Sequence, residues 1–208
     1  EISECLVGSE MCIRDRLKMA TEKEKFLAGE PYSVLDPELT ADETRARRLC
    51  KMLNELDDTA SDEKDHIIRQ LFGSAGKQPW VQPNFRCDFG YNIHVGDNFI
   101  CNYDNVILDI CPVTIGNHVM LAPHVQIYAA YHSLDPRSRA KFVGMGKPVT
   151  IGNDVWVGGG SVILPGVTLG NNVVVGANST VTKSFGDNLI IAGNPARVIR
   201  ENPYKSEK

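Results

Sequence analysis

From Ile151 onward an aliphatic residue returns at every sixth position: Ile151, Val157, Ile163, Leu169, Val175 and Val181. Gly152, Gly158, Gly170 and Gly176 directly follow four of them. The same step joins Val95, Cys101 and Ile107 and, after a slip of two residues, Ile115, Leu121 and Ile127. Neither a helix, with its period of about 3.6 residues, nor a strand, with its period of about 2, gives this pattern. A hexad repeat with small residues at the turns marks a parallel β-helix solenoid. Each hexad supplies one short strand and one corner, and three hexads close a coil. The aliphatic residue points to the axis and stacks on its equivalents one coil away. Glycine and asparagine suit the tight or left-handed backbone of the corners. A single coil cannot bury its own core, so stacking is obligatory.

One stretch breaks the rhythm. Between Ile127 and Ile151 the six-step positions hold Ser133, Arg139 and Met145, none suited to the axis. Residues 128–148 are therefore predicted to leave the solenoid as an extruded loop. Long loops in compact folds are usually functional, and this one carries His132.

Before the repeats the texture is helical, and the domain reading is a helical segment over 19–77, the solenoid over 78–191 and a C-terminal tail over 192–208. Asp36-Pro37 reads as an N-cap followed by proline at the first helical position. Leu49, Met52, Leu53 and Leu56 form one apolar stripe. Ser61 is expected to cap a second helix, with Ile67, Ile68, Leu71 and Phe72 on its buried face and Gly73 as its stop. Such short helices must pack on something else. The basic cluster Arg45, Arg47 and Arg48 reads as a solvated face. Residues 1–18 show no period and match nothing downstream; they are expected to be a non-native extension, dispensable for folding and activity, with Met19 as the natural start.

Composition closes off several classes. A net charge of −4 gives no basic field for nucleic acid or anionic membrane. No apolar run approaches the roughly 20 residues of a membrane span. The six cysteines form no C-x-x-C pair and no zinc spacing, so they read as reduced thiols of a cytoplasmic protein.

The order of FRCDFGYNIHVGDN (85–98), LAPHVQIYAAYHSLDP (121–136), GKPVTIGNDVWVGGGSVILPGVTLG (146–170) and AGNPARVI (192–199) resembles the maltose/galactoside O-acetyltransferase family of hexapeptide-repeat enzymes. The likeness runs over about residues 19–200 and is greatest to maltose acetyltransferases. It implies a mainly β fold, a left-handed parallel β-helix, assembled as a homotrimer with active sites between subunits. It also implies acetyl-CoA as donor and a sugar hydroxyl as acceptor, with no metal.

Acetyl transfer from a thioester to a hydroxyl needs a base for the hydroxyl proton, donors for the developing oxyanion and alignment of both substrates. Histidine side chains titrate near neutrality and suit the first task. His132 lies in the extruded loop and matches the family's catalytic base. Asparagine and aspartate are common corner residues, yet the resemblance assigns Asn102 to the acceptor and the tetrahedral state. Asp109 falls in the acceptor region, orienting sugar hydroxyls or the histidine, and Asp88 aligns with an acceptor-contacting serine of galactoside acetyltransferase. For the cofactor it implies Trp156 beside the thioester, Gly159, Ala177 and the Thr182-Lys183 pair along coenzyme A, and Arg197 with Arg200 on phosphate. Guanidinium forks suit phosphate oxygens. Where the galactoside enzyme has acidic, basic and acidic residues, this chain has Val34, Glu43 and Ile110, which shifts the expectation toward maltose- or glucose-like acceptors.

Two alternatives stand beside this reading. One is transfer to another small hydroxyl or amine, such as serine or an antibiotic. The other is a β-helix zinc carbonic anhydrase, which needs three converging histidines. His118 and His124 are six residues apart and so belong to adjacent faces rather than to one.

Overall fold

The computed structural model describes residues 20–204; the expectation for residues 1–18 lies outside that range. Helices α1 (Glu22–Leu27), α2 (Pro37–Glu55) and α3 (Ser61–Leu71) precede a run of short parallel strands. The strands stack into three sheets, one per side of a solenoid. The first sheet carries Ala75, Val95, Ile115, Ile151 and Leu169 in register, and the second Val81, Cys101, Leu121, Val157, Val175 and Ile191. The third stacks Cys87, Ile107, Ile127, Ile163 and Val181. These are the hexad residues, and all of them from Val81 onward are buried.

The two-residue slip between Ile107 and Ile115 has a physical form: the upper coils repeat every 20 residues, the lower one every 18 and the last every 16. Along the first corner Asn117, Asn153, Asn171 and Asp187 each accept, through Oδ1, a backbone N–H of the coil before, at 2.7–2.8 Å. The hexad glycines do not supply left-handed backbone. A Cβ on Gly116 would lie 2.6 Å from Asn153 Oδ1, so glycine is there for close approach to the asparagine ladder. The left-handed corner positions are filled instead by Asn98, His118, Asp154 and Asn172.

The solenoid starts earlier than its hexads announce. Ser74–Ala75 already pairs in parallel with His94 and Val95, ahead of position 78. The cap helices cover the open top of this first coil: Ala46, Leu49, Cys50, Leu53, Ile67, Ile68 and Leu71 join the solenoid core. Asp36 caps α2 as expected, accepting from the backbone N–H of Glu38 and Leu39. Two helical details differ. Met52 faces solvent, because Cys50 and Ala46 take the buried stripe with Leu49 and Leu53. Ser61 is the first helical residue of α3 and makes no side-chain cap. Gly73 is needed for space, since a Cβ there would meet Tyr91 O and His94.

The extruded segment is an ordered hairpin. Ala130–Tyr131 and Val143–Gly146 pair antiparallel, with a short helix, α4 (Pro136–Arg139), between them. Tyr32–Ser33 adds a third antiparallel strand, so the N-terminal segment clamps the loop. Beneath lies a separate apolar cluster of Phe26, Tyr32, Leu39 and Phe89, against which Val34, Tyr91 and Ile110 pack. No helix among the described residues is long and apolar enough to cross a membrane.

Candidate active site

His132 sits at the mouth of the hairpin, exposed, with Nδ1 3.3 Å from the carbonyl oxygen of Val143 on the opposite strand. A carbonyl only accepts, so Nδ1 carries the proton in this contact, and in the neutral imidazole Nε2 then holds the free lone pair. That is the tautomer a base requires. Arg139 Nη1 donates to the carbonyls of Ser133 and Leu134 at 2.8 Å, Asp135 caps α4, and Val34 N donates to Phe142 O at 3.1 Å. Tyr32 packs so closely under the loop that a Cβ on Gly144 would lie 2.6 Å from its ring. The hairpin is thus braced at several points around the imidazole.

Asp88 and Asp109 follow the third sheet at the same corner from which the hairpin leaves. Asp109 is fully buried, and its carboxylate is committed to backbone: Oδ1 accepts from the N–H of Asp88 (3.1 Å) and Phe89 (2.9 Å), Oδ2 from that of Asn92 (3.3 Å). Asn92 Nδ2 donates back to Asp109 O at 2.8 Å. The Asp109 side chain thereby holds the turn that presents Asp88. Burial raises its pKa to about 6 against the lowering effect of those hydrogen bonds. Asp88 is half-buried and is pushed further, to about 7, first by desolvation and then by the charges of Asp109 and Glu43, with Arg47 opposing. Asp88 lines a cleft of about 590 Å³ between α2 and the third sheet. A larger cleft, about 880 Å³, lies between α3 and Trp80 and holds none of the expected site residues.

Both shifts are upward, which fixes the sign of a pH effect. Between the ordinary carboxylate range and neutrality the folded chain keeps protons that the unfolded chain releases. The associated stability is complete at about pH 4 and is lost as pH rises through about 6 to 7. We expect the melting temperature to fall over that range and Asp88→Asn to flatten the fall. Thermal melts of both proteins against pH check this; an unchanged slope in the variant contradicts it.

The remaining residues lie on a different edge. Asn102 follows the second sheet, its backbone N–H on Leu121 O (2.9 Å) and its Oδ1 accepting from Tyr103 N (2.8 Å). Directly down the same corner come Ala122, Gly158 and Gly176, each bonded to the next coil, so Gly159 and Ala177 share that edge. Trp156 points outward from the second sheet in one row with Met120, Val174, Ile190 and Arg200. Arg197 and Arg200 are three apart and would face opposite ways on a regular strand. A register shift at Ile190/Ile191 pairs Arg197 with Ala192 and Arg200 with Ile190, which returns both guanidinium groups to the outward face. Thr182 and Lys183 fall instead on the corner of Asp88 and His132, with Lys183 Nζ 5.5 Å from the centre of the Phe185 ring.

The expected residues therefore form two groups on opposite edges of the third sheet. One holds Asn102, Gly159, Ala177, Trp156, Arg197 and Arg200; the other holds His132, Asp88, Thr182 and Lys183. Within a chain they are separated by a strand and its corner, roughly 15 Å of extended backbone. Tyr32 and Glu43 belong with the second group by position. The charges of both Asp88 and Glu43 act on Tyr32, whose pKa burial raises well above the usual phenol range. Glu43 stood out in sequence only as a departure from the galactoside enzyme, and Tyr32 did not stand out, because it precedes the repeats whose period drew attention.

The histidines of the zinc alternative do not converge. His94 faces out from the first sheet beside Ser74 Oγ (3.0 Å), His118 sits at the first corner near Asp154 (3.1 Å), and His124 at the second near Asp104 (3.8 Å). Among the described residues no cluster of three or more His, Cys, Asp or Glu side chains could hold a metal ion.

Comparison with known proteins points the same way. Residues 25–76 match the maltose acetyltransferase hexapeptide capping motif, and residues 148–183 the bacterial transferase hexapeptide repeat. A maltose O-acetyltransferase from Clostridium difficile 630 superimposes with a TM-score of 0.85 at 49% identity, covering 87% of this chain and 97% of its own. A galactoside acetyltransferase in complex with coenzyme A gives 0.82 at 33% identity, covering 90% and 98%. A hexapeptide-repeat acetyltransferase from Vibrio cholerae, complexed with acetyl coenzyme A, gives 0.80 at 41%, covering 88% and 100%. With the cap motif and the repeats matched, and with relatives of 33–49% identity covered over nearly their whole length, the chain belongs to the maltose/galactoside O-acetyltransferase family, a group of hexapeptide-repeat acyltransferases.

Proposed function

We propose that this chain transfers an acetyl group from acetyl-CoA to a hydroxyl of a maltose- or glucose-like sugar, at a site completed by two copies in a homotrimer. The observation that supports the reading is the contact of His132 Nδ1 with Val143 O, which favours the neutral tautomer with Nε2 free to act as base. Nε2 takes the proton of the attacking hydroxyl, and the imidazolium passes it to the leaving thiolate of coenzyme A. With its oxygen held by Tyr103 N, the Asn102 amide has its NH₂ left to meet the oxyanion. Trp156 covers the thioester end of the cofactor with a flat apolar face, and Arg197 and Arg200 grip its phosphates.

The surfaces support assembly of this kind. The outward row of the first sheet is Ser74, His94, Thr114, Thr150 and Thr168, which suits water. The outward row of the second is Trp80, Ile100, Met120, Trp156, Val174 and Ile190, a continuous apolar stripe of the kind that marks a binding surface. A head-to-tail ring of copies lays this stripe and the Asn102 edge beside a neighbour's His132 corner. On the acceptor side, Val34 and Ile110 pack into the apolar cluster, while Glu43 pairs with Arg47 at 2.8 Å. That leaves Asp88 as the polar group facing a sugar.

Release of coenzyme A thiol in the presence of maltose, glucose, galactoside or serine tests the function. We expect turnover with the first two. In Arg197→Ala/Arg200→Ala the KM for acetyl-CoA should rise while that for the sugar stays nearly fixed. Turnover with serine alone contradicts the sugar assignment, and equal effects on both KM values make the arginines structural.

A further inference from the structure

Two thiols that the acetyl-transfer chemistry does not use meet where the helical cap rests on the solenoid, beside Asp88. Cys50 comes from α2 and Cys87 from the strand Arg86–Cys87 of the first coil, 37 residues later, with their Sγ atoms 3.6 Å apart. Both are nearly buried, yet both line the cleft of about 590 Å³ beside Asn54 and Arg86, so a small reagent can reach them. Cys101, in contrast, is sealed on the solenoid axis and burial pushes its thiol up to about 12. The Cys50–Cys87 pair is asymmetric: the hydrogen bond from Cys87 favours the Cys50 thiolate, while the same contact and burial hold Cys87 protonated. A thiolate beside a thiol is the starting arrangement for disulfide formation.

We propose that Cys50 and Cys87 are a reversible oxidation site, closed to a disulfide by a small peroxide, which links the cap helix to the first coil. The Cys50 thiolate attacks one peroxide oxygen, the O–O bond breaks, and hydroxide leaves to take up a proton as water. The Cys87 sulfur then attacks the Cys50 sulfenic acid, loses its proton, and expels a second water as the S–S bond forms. Two thiols and one hydrogen peroxide thus give one disulfide and two waters; sulfur is oxidised and peroxide oxygen reduced. The sulfurs must close from 3.6 Å to about 2.05 Å, a movement of side-chain rotation size. The backbones of α2 and Arg86–Cys87 already run within 8 Å of each other, near the span a disulfide bridges.

The test is hydrogen peroxide treatment of the folded full chain, alkylation of remaining thiols and peptide mapping without reductant. The expected result is a Cys50–Cys87 linked peptide, loss of two hydrogens from the protein mass, and reversal by dithiothreitol. The melting temperature should rise by several degrees, since the link closes a long loop in the unfolded chain. Cys50→Ser should abolish the linked peptide and the rise; if that variant does not fold, Cys50→Ala serves. Recovery of both residues alkylated after treatment, or linkage of Cys50 to a cysteine other than Cys87, overturns the proposal. None of these readouts depends on acetyl transfer.

Discussion

Ile163→Asp should abolish the folded state. Ile163 is fully buried on the solenoid axis, paired in register with Ile127 above and Val181 below. An aspartate there has apolar neighbours stacked on both sides and no partner for its charge. Stranding such a group costs several kcal/mol even after it takes up a proton, comparable with the ~5–15 kcal/mol stability of a whole domain. A solenoid has no other way to cover the gap, because each coil packs on its neighbours alone. Circular dichroism and size-exclusion chromatography should show loss of β signal or aggregation. Thr168→Asp, whose side chain points outward next to the buried Leu169, should fold normally. A cooperative, β-rich Ile163→Asp protein melting near the wild-type temperature contradicts the register.

His132→Ala should reduce turnover by about 10²–10⁴, the usual contribution of a general base. The side chain is exposed and, among the described residues, bonds across the hairpin to Val143 O alone, so its removal leaves the solenoid core untouched. Folding, assembly and acetyl-CoA affinity should stay close to wild type, because the residues assigned to the cofactor lie largely on another edge. Single-turnover acetyl transfer at saturating substrates is the comparison to make. A loss under about tenfold removes His132 from the chemistry.

The coils were legible in sequence because an inward position recurs at a fixed step and tolerates only aliphatic residues. The first coil was less so: Gly76 follows Ala75 as in the later hexads, but alanine is a weak core marker, and Val81 and Cys87 are followed by no glycine. The loop at 128–148 was legible as an interruption, but its pairing with Tyr32–Ser33 was not, because two-residue strands carry no period. Asp109 shows the limit most clearly. An aspartate that turns inward to bind backbone N–H groups reads the same in sequence as one at an open corner, and only the fold shows those bonds. The shared face of Arg197 and Arg200 depended on a bulge that spacing alone would have denied.

The composite site is tested most directly by subunit complementation. His132→Ala and Asn102→Ala chains, each nearly inactive alone, are mixed in equal amounts, dissociated and reassembled. If the His132 corner of one copy works with the Asn102 edge of the next, about one interface in four in a random mixture is intact at both positions. Acetyl transfer should then return to roughly a quarter of the wild-type rate. Reassembled mixtures that stay as inactive as the separate variants would place both residues in one chain's site and contradict the account.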